Sequence, residues 1–217
     1  MRLRITFSKI GAAKYSGHLD LHRTWERTLR RAGVALAYSQ GFNPQPRIQL
    51  AAALPLGITS EGEIMDIWIE GEADLVAMRR ELDRAVPPGI ELTSLQPADA
   101  HLAALQTQVR AAEYTAAVES DVTGEELDSR IATLLAAESL PRVRRGKAYD
   151  LRPLVESLAR ESSDGLAHTL RMRLTAREAA TGRPEEVLAA LGLGDSVAQI
   201  HRIRLLFADA FSPASHL

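Results

Sequence analysis

The sequence predicts an α+β protein made of two tandem ferredoxin-like units, each with the element order βαββαβ and an antiparallel sheet. Residues 2 to 9 alternate between polar and apolar side chains, as a half-buried strand does. The strand and helix signals of residues 1–98 recur in residues 109–217, with a connection near residues 97–108. We therefore expect an N-terminal domain at 1–98 and a C-terminal domain at 109–217.

The first half contains one complete set of elements. Ser16 is in position to cap the helix that follows the first strand, and Gly33 is in position to end it. Asp74 caps a second helix, which Pro87-Pro88-Gly89 stops near Val86. The predicted strands are Arg2–Lys9, Arg47–Ala53, Glu63–Glu70 and Ile90–Gln96.

The second half is predicted from similar signals. Thr123 and Glu126 have the spacing of a capping box, at the start of a helix that runs to Ser139. Pro184 suits the first turn of a further helix. A hairpin is expected to turn at Gly146-Lys147, and an additional short helix within residues 153–165 stays open. The predicted strands are Gln108–Glu119, Arg142–Arg145, Ala148–Arg152, Leu166–Thr175 and Gln199–Phe207, and Ser212–Leu217 are expected to be frayed.

Composition excludes several functional classes. The 217 residues include no cysteine, so the chain has no disulfide, no thiolate nucleophile and no cysteine ligand for an iron–sulfur cluster. No apolar stretch reaches about 18 residues, and the first residues are typical of a strand rather than of a signal peptide. These observations favour a cytoplasmic protein without membrane contact. Common enzyme motifs such as the P-loop, G-x-S-x-G and H-E-x-x-H are absent.

The charge is unevenly distributed along the chain, although the net charge is only −2. Residues 1–50 contain nine Lys/Arg and two Asp/Glu, whereas residues 51–108 contain three and ten. A basic first quarter can attract polyanions. The alternative is that folding mixes these charges in space.

The first predicted helix carries arginines on one side. Leu21, Trp25 and Leu29 form an apolar stripe, and four arginines within nine residues lie on the opposite side. Guanidinium groups suit phosphate, which favours an RNA-binding face. The alternative is a surface helix whose arginines pair with the acidic stretch 61–83. The four residues are Arg23, Arg27, Arg30 and Arg31.

Residues 37–47 form a predicted recognition loop. Pro44 and Pro46 restrict the backbone, while Gly41 can take angles that other residues avoid. A segment of this kind differs from a flexible Gly/Ser linker and would hold its side chains in a fixed arrangement. The candidate contacts to an unstacked base or to a partner protein are Tyr38, Ser39, Gln40, Phe42, Asn43 and Arg47.

Arginines also alternate with apolar residues in three predicted strands, at Arg2/Arg4, Arg171/Arg173 and Arg202/Arg204. Such arginines would face the open side of a sheet and could contact phosphate, unless they are ordinary polar strand positions. The tip of the predicted hairpin is basic as well. It could follow a nucleic-acid strand or prevent unwanted sheet pairing. Its candidate binding residues are Arg144, Arg145 and Lys147.

The start of the first helix contains two histidines. His18 and His22 share one helix face, a spacing that can hold zinc, but the residues that usually complete such a motif are missing nearby. We therefore predict no metal, no cofactor and no catalytic residue. His18 and Asp20 are expected to orient the recognition loop, and Lys14 precedes them as a further binding candidate.

Several motifs follow one another at short spacing in the first 70 residues. They are Lys9-Ile10-Gly11, Ser16-Gly17-His18-Leu19-Asp20-Leu21, Thr28-Leu29-Arg30-Arg31-Ala32-Gly33, Tyr38-Ser39-Gln40-Gly41-Phe42-Asn43-Pro44, Ala53-Leu54-Pro55-Leu56-Gly57 and Glu61-Gly62-Glu63. With them, the chain resembles the radical SAM-linked, or radical SAM-associated, protein family of unknown function (DUF2344). The resemblance implies a partner, because members are fused to or encoded beside a radical SAM protein with a cobalamin-binding-type domain. His22 departs from the family pattern.

These observations together predict a non-catalytic accessory protein that binds RNA for a radical SAM enzyme. One alternative is a protein-interaction module that docks the radical SAM partner without RNA. A second alternative is an enzyme that uses His18 and Asp20 as acid and base.

Overall fold

The structure is a computed structural model that describes residues 1–144, 146–177 and 179–208. The architecture is mixed α+β with mostly antiparallel strands, as the sequence predicts at this level. The chain divides into two units, Met1–Val109 and Arg110–Leu217. Among the described residues, none of the helices combines the length and the hydropathy that a membrane span requires.

The first unit follows the predicted order of strands and helices and adds two short helices, a 3-10 helix at Gly11–Tyr15 and one turn of α-helix at Leu105–Gln108. Its elements are β1 Arg2–Lys9, α1 His18–Arg31, β2 Ile48–Leu50, β3 Thr59–Trp68, α2 Leu75–Ala85, β4 Ile90–Ala98 and α3 Leu105–Gln108. The strands lie side by side as β2-β3-β1-β4, and each neighbouring pair is antiparallel. The β2 strand is shorter than expected, while β3 begins earlier in the chain than expected.

The core of the first unit lies between α1 and the sheet. Leu3, Ile5 and Phe7 alternate along β1 and are fully buried. The apolar stripe of α1 packs with them, and the rings of Phe7 and Trp25 meet edge to face with centroids 4.8 Å apart. Leu21 and Leu29 are buried in the same cluster, so the side of α1 opposite the arginines faces the core.

The start of α1 differs from the prediction, whereas its end agrees with it. The prediction that Ser16 caps the helix is wrong, because Gly17 is the N-cap residue and the Ser16 hydroxyl donates to the Ala13 carbonyl oxygen instead. The predicted end is confirmed. Gly33 has a φ of 70°, and its N–H and that of Val34 bond back into the last turn, which is a Schellman arrangement.

The second unit has a more complex strand arrangement than predicted. Its elements are β5 Val109–Glu119, α4 Gly124–Ala136, β6 Pro141–Arg144, β7 Lys147–Asp150, β8 Val155–Asp164, β9 Ala167–Arg177, β10 Ala180–Thr181, α5 Pro184–Ala190 and β11 Ala198–Phe207. The strands lie in the order β10-β9-β5-β11, and β8 also pairs with β9. The β6–β7 hairpin forms a separate two-stranded sheet.

The short helix considered for residues 153–165 is limited to a 3-10 helix at Arg152–Leu154, because most of this stretch is strand β8. Its pairing with β9 shifts register twice, between Val155 and Ser157 and between Arg160 and Ser162. The first shift breaks the alternation of a regular strand, so the buried Val155 and Leu158 are three residues apart, a spacing typical of a helix. The Ser212–Leu217 tail lies outside the described residues.

Candidate functional site

The start of α1 combines exposed and buried polar groups. His18 occupies the first helical position, and its side chain lies near His22 and Glu63. Partial burial lowers the pKa of the His18 imidazole and His22 lowers it further, while Glu63 acts in the opposite direction. The imidazole is therefore neutral near pH 7. No group of three or more metal-ligating side chains occurs in the described part of the chain.

A buried lysine lies close to this helix start and was missed from the sequence. Lys9 is only 1% exposed, and its Nζ donates to the Ser16 carbonyl oxygen at 2.8 Å. Glu63 and Ser60, on the paired strand β3, are buried as well. One signal could have revealed this cluster: Lys9 continues the apolar side of β1 that Leu3, Ile5 and Phe7 begin.

The four arginines of α1 have different surroundings. Arg23 is exposed and lies 4.0 Å from Asp20, and Arg30 pairs with Glu26 at 2.8 Å. Arg27 is exposed and has no hydrogen-bond or ion-pair partner among the described residues. Arg31 donates to the Ala85 carbonyl oxygen at the end of α2. All four arginines are therefore exposed, and Arg31 also connects α1 to α2.

The recognition loop is closed at its base. Tyr38 and Pro46 form an isolated β-bridge. The Ser39 N–H donates to the Gln45 carbonyl oxygen at 2.8 Å, and the Gln45 N–H donates to Ser39 Oγ at 3.0 Å. Ser39 thus has a closing role inside the loop. Gln40, Phe42 and Asn43 extend from this base into solvent, and Phe42 is fully exposed.

Two contacts connect the recognition loop to the rest of the first unit. Arg30 Nη2 lies 3.3 Å from the Tyr38 hydroxyl, so the loop begins beside the arginine side of α1. At the other end, the Arg47 guanidinium lies over the Trp68 ring, 4.6 Å from its centroid. Lys14 lies apart from these contacts, near the ring of Tyr15.

The prediction that Arg2 and Arg4 face an open sheet surface is wrong. Both are 2% exposed and bind Asp66, which is completely buried. Arg2 also donates to the carbonyl oxygens of Asp99, Leu102 and Ala103, so the chain after β4 covers it. Burial of two guanidinium groups around one carboxylate makes this cluster structural.

The prediction that strand arginines of the second unit lie on an open sheet face is only partly correct. Arg202 is 1% exposed, which contradicts its predicted place on an open face. Arg171, Arg173 and Arg204 have half-exposed side chains and all bind Glu113. Burial alone would raise the pKa of Glu113, but hydrogen bonds from Arg204 and Arg173, with a further contribution from Arg171, lower it to about 2. Glu113 was missed because it interrupts a run of small and apolar residues in β5.

The basic hairpin exposes Lys147 and the large apolar side chain of Val143, and it leaves Arg144 half-buried. The Asp150 carboxylate accepts from the Leu140 and Arg152 N–H groups and anchors the hairpin base. These backbone bonds lower the pKa of Asp150, Leu140 contributing most. Arg145 lies outside the described residues.

The family model for an uncharacterized protein conserved in bacteria (DUF2344) matches residues 2–184. The chain belongs to this family. None of the curated proteins matches this DUF2344 chain. Among solved structures, it is similar to a chain of a Cbf5-Nop10-Gar1 complex, with a TM-score of 0.54 and 10% identity over 94% of this chain and 48% of that one.

A second similar structure is an H/ACA RNP bound to a substrate RNA containing 2'-deoxyuridine. Its TM-score is 0.51, with 10% identity over 97% of the DUF2344 chain and 49% of the other chain. At this identity, both similarities show the fold alone. The DUF2344 chain spans about half the length of these two solved chains.

Proposed function

We propose that this protein is a non-catalytic accessory protein that binds RNA for a radical SAM enzyme. The observation that carries the proposal is the joined surface of α1 and the recognition loop in the first unit. Exposed Arg23 and Arg27 provide charge, Arg30 contacts Tyr38 at the loop base, and Phe42 is fully exposed at the loop end. Exposed cations and an exposed aromatic ring on connected elements suit single-stranded RNA, whose phosphates and unstacked bases are both accessible.

We also propose that both units are ferredoxin-like. In the first unit, strands β4, β1, β3 and β2 lie in the order expected for a split βαβ pattern. In the second unit, β11, β5, β9 and β8 have the same relative order, with the β6–β7 hairpin inserted and β10 added. An RNP bound to a substrate RNA has a similar fold, which makes the fold compatible with RNA binding.

The radical SAM partner in this proposal rests on the family resemblance. The chain lacks cysteine, so an iron–sulfur cluster held by cysteine would have to belong to the partner. In this proposal the partner carries out the radical reaction, and this chain binds the RNA.

The experiment measures binding of a fluorescein-labelled, mixed-sequence 20-nucleotide single-stranded RNA to the full chain by anisotropy. The test variant is Arg23→Glu/Arg27→Glu on α1. The control is Arg80→Glu/Arg84→Glu on α2, which is matched closely. Arg23 and Arg84 each have an acidic residue three positions before them, Asp20 and Glu81. Arg27 and Arg80 are exposed and have no partner among the described residues.

We expect at least a tenfold loss of affinity in the α1 variant and a much smaller loss in the α2 control. Equal losses of RNA affinity in both variants would mean that net charge alone explains the effect, which would contradict the proposed surface. Binding that does not weaken between about 50 and 200 mM salt would contradict phosphate contact altogether.

A specific observation favours a second candidate function, docking of the radical SAM partner without RNA. Three large apolar side chains near the start of α1 are exposed: Tyr15 by 68%, Leu19 by 70% and Leu56 by 63%. The Gly57 N–H donates to the Lys14 carbonyl oxygen, which brings Leu56 close to Tyr15. Under this alternative, Leu19→Asp would abolish capture of the partner while leaving RNA binding unchanged.

A further inference from the structure

The second unit contains an arginine cluster that differs from a purely structural ion pair. Glu113, whose side chain is 5% exposed, accepts from Arg171, Arg173 and Arg204. These three arginines keep 45%, 44% and 58% of their side-chain surface exposed. One carboxylate needs only one positive partner for charge balance, so the cluster holds excess positive charge at the surface.

The geometry leaves many donors available. The three guanidinium groups carry roughly fifteen N–H donors together. Within the described residues they make five hydrogen bonds, four to Glu113 and a long one of 3.4 Å from Arg171 to Glu161. Glu161 reduces the excess charge, and the neighbouring Glu156 accepts from Thr175. Three cations therefore face two contacting carboxylates.

The Asp66 cluster of the first unit shows what a closed arrangement looks like. There Arg2 donates to three backbone carbonyl oxygens in addition to Asp66 and is almost fully buried. Arg171, Arg173 and Arg204 have no backbone carbonyl acceptor among the described residues. The Arg2-X-Arg4 pattern of the first unit is thus covered, whereas the Arg171-X-Arg173 pattern of the second unit is left open to solvent.

We propose that Arg171, Arg173 and Arg204 form a phosphoryl-binding site on the second unit, arranged by the buried Glu113. Glu113 holds the three guanidinium groups around one carboxylate, so these side chains need little further ordering when a ligand binds. The ligand is a phosphate group, and within the proposed RNA function it is a backbone phosphodiester. The identification with RNA rests on that function, whereas the phosphate site itself does not.

The test variant is Arg171→Gln/Arg204→Gln in the full chain. It leaves both hydrogen bonds of Arg173 to Glu113 in place, so the buried carboxylate stays paired. Inorganic pyrophosphate binding is measured by calorimetry and binding of the 20-nucleotide RNA by anisotropy. Arg80→Gln/Arg84→Gln is the control with the same change of charge, and thermal unfolding verifies the fold of every variant.

We expect the variant to lose at least fivefold in pyrophosphate affinity, with the control unchanged. A parallel loss of RNA affinity identifies the ligand as a phosphodiester backbone, and unchanged RNA affinity identifies it as a free phosphorylated compound. A Glu113→Gln variant provides a second readout, because loss of the carboxylate that holds the three guanidinium groups together should weaken pyrophosphate binding although the net positive charge rises.

Unchanged affinity for both probes in Arg171→Gln/Arg204→Gln would overturn the site. That result would leave the proposed RNA function intact if Arg23→Glu/Arg27→Glu still lost RNA binding. Conversely, wild-type protein that binds pyrophosphate through the cluster but binds no RNA would support the site and contradict the proposed function.

Discussion

At the scale of single residues, Asp66 and Glu113 show how one buried carboxylate can organise several arginines. Asp66 binds two guanidinium groups that are themselves buried, which makes each partner depend on the other. Glu113 binds three that remain half-exposed. The first arrangement can only support the fold, whereas the second also leaves charge available for a ligand.

The pH dependence of stability should reveal the Glu113 cluster. The folded-state pKa of Glu113 is about 2 against an ordinary value of 4.5, so its contribution is present above pH 4.5 and is lost as pH falls toward 2. We expect Glu113→Gln to lower the free energy of unfolding by about 3 kcal/mol at pH 7, with the difference from wild type shrinking between pH 4.5 and 2. Urea denaturation at several pH values measures this.

The matched control for that measurement is Glu161→Gln, which removes a more exposed carboxylate from the same cluster. We expect a change of less than about 1 kcal/mol. A Glu113→Gln effect as small as this would show that the carboxylate contributes little to the fold.

Phe42 should separate binding from stability. Its ring is fully exposed, so Phe42→Ala removes no core packing and should leave the melting temperature unchanged. Loss of one base-stacking interaction typically costs about 1–3 kcal/mol, or roughly 5- to 150-fold in RNA affinity. Anisotropy titration measures this, with the exposed Val76→Ala as control. Unchanged RNA affinity in Phe42→Ala would exclude stacking at the loop end.

At the scale of elements, the connections between strands and helices depend on a few backbone positions. Gly89 lies at the start of β4 with a φ of 87°, and its carbonyl oxygen accepts from the Ile10 N–H. A Cβ atom at Gly89 would lie 2.5 Å from the Ile10 carbonyl oxygen and 3.0 Å from the Ala13 Cβ. The turn before β4 is therefore packed directly against the end of β1.

Replacement of Gly89 tests this packing. Gly89→Ala combines an unfavourable backbone angle with a clash, and we expect roughly 3 kcal/mol of destabilisation. Gly71→Ala is the matched control, because Gly71 has a φ of 65° but open space around it. It should cost only about 1 kcal/mol. Equal costs in urea denaturation would mean that the chain near Ile10 moves aside easily.

At the scale of the whole molecule, the two proposals assign phosphate-binding arginines to both units. The α1 surface and the Glu113 cluster lie in different units, and each can be changed without touching the other. If one RNA contacts both, the salt dependence of its binding contains contributions from both surfaces.

The salt dependence gives a quantitative prediction. Removing one arginine that binds a phosphate should lower the slope of log affinity against log salt by about 0.7 for single-stranded RNA. We expect decreases of about 1.4 for Arg23→Gln/Arg27→Gln, about 1.4 for Arg171→Gln/Arg204→Gln and about 2.8 for the four changes combined. If one pair alone accounted for the whole decrease in slope and the other pair added nothing to it, only one unit would contact the RNA.

Sequence patterns predicted the elements where local signals agree. The alternation of Leu3, Ile5 and Phe7, the cap at Asp74 and the end of α1 at Gly33 are confirmed. The β8 strand was missed, because its two register shifts replace a two-residue period with a three-residue spacing of buried positions. A bulge depends on the partner strand, which the local sequence does not contain.

The candidate site was only partly predictable for the same reason. Exposure of Arg23, Arg27 and Phe42 agrees with the helix face and the loop identified in the sequence. The burial of Arg2 and Arg4 depends on Asp66 and on the carbonyl groups after β4, which are more than 60 residues away in the sequence. The role of Lys9 likewise depends on what the rest of the fold places around it.

The sequence by itself determined the α+β class, the apolar side of each main element and the absence of cysteine chemistry, because these follow from composition and short-range periodicity. Only the tertiary structure decided which arginines are buried and which remain available. The physical reason is that a charged side chain can be buried only where distant residues supply its hydrogen bonds. The Arg2-X-Arg4 pattern therefore became a closed structural cluster around Asp66, while the Arg171-X-Arg173 pattern became part of an open cluster around Glu113.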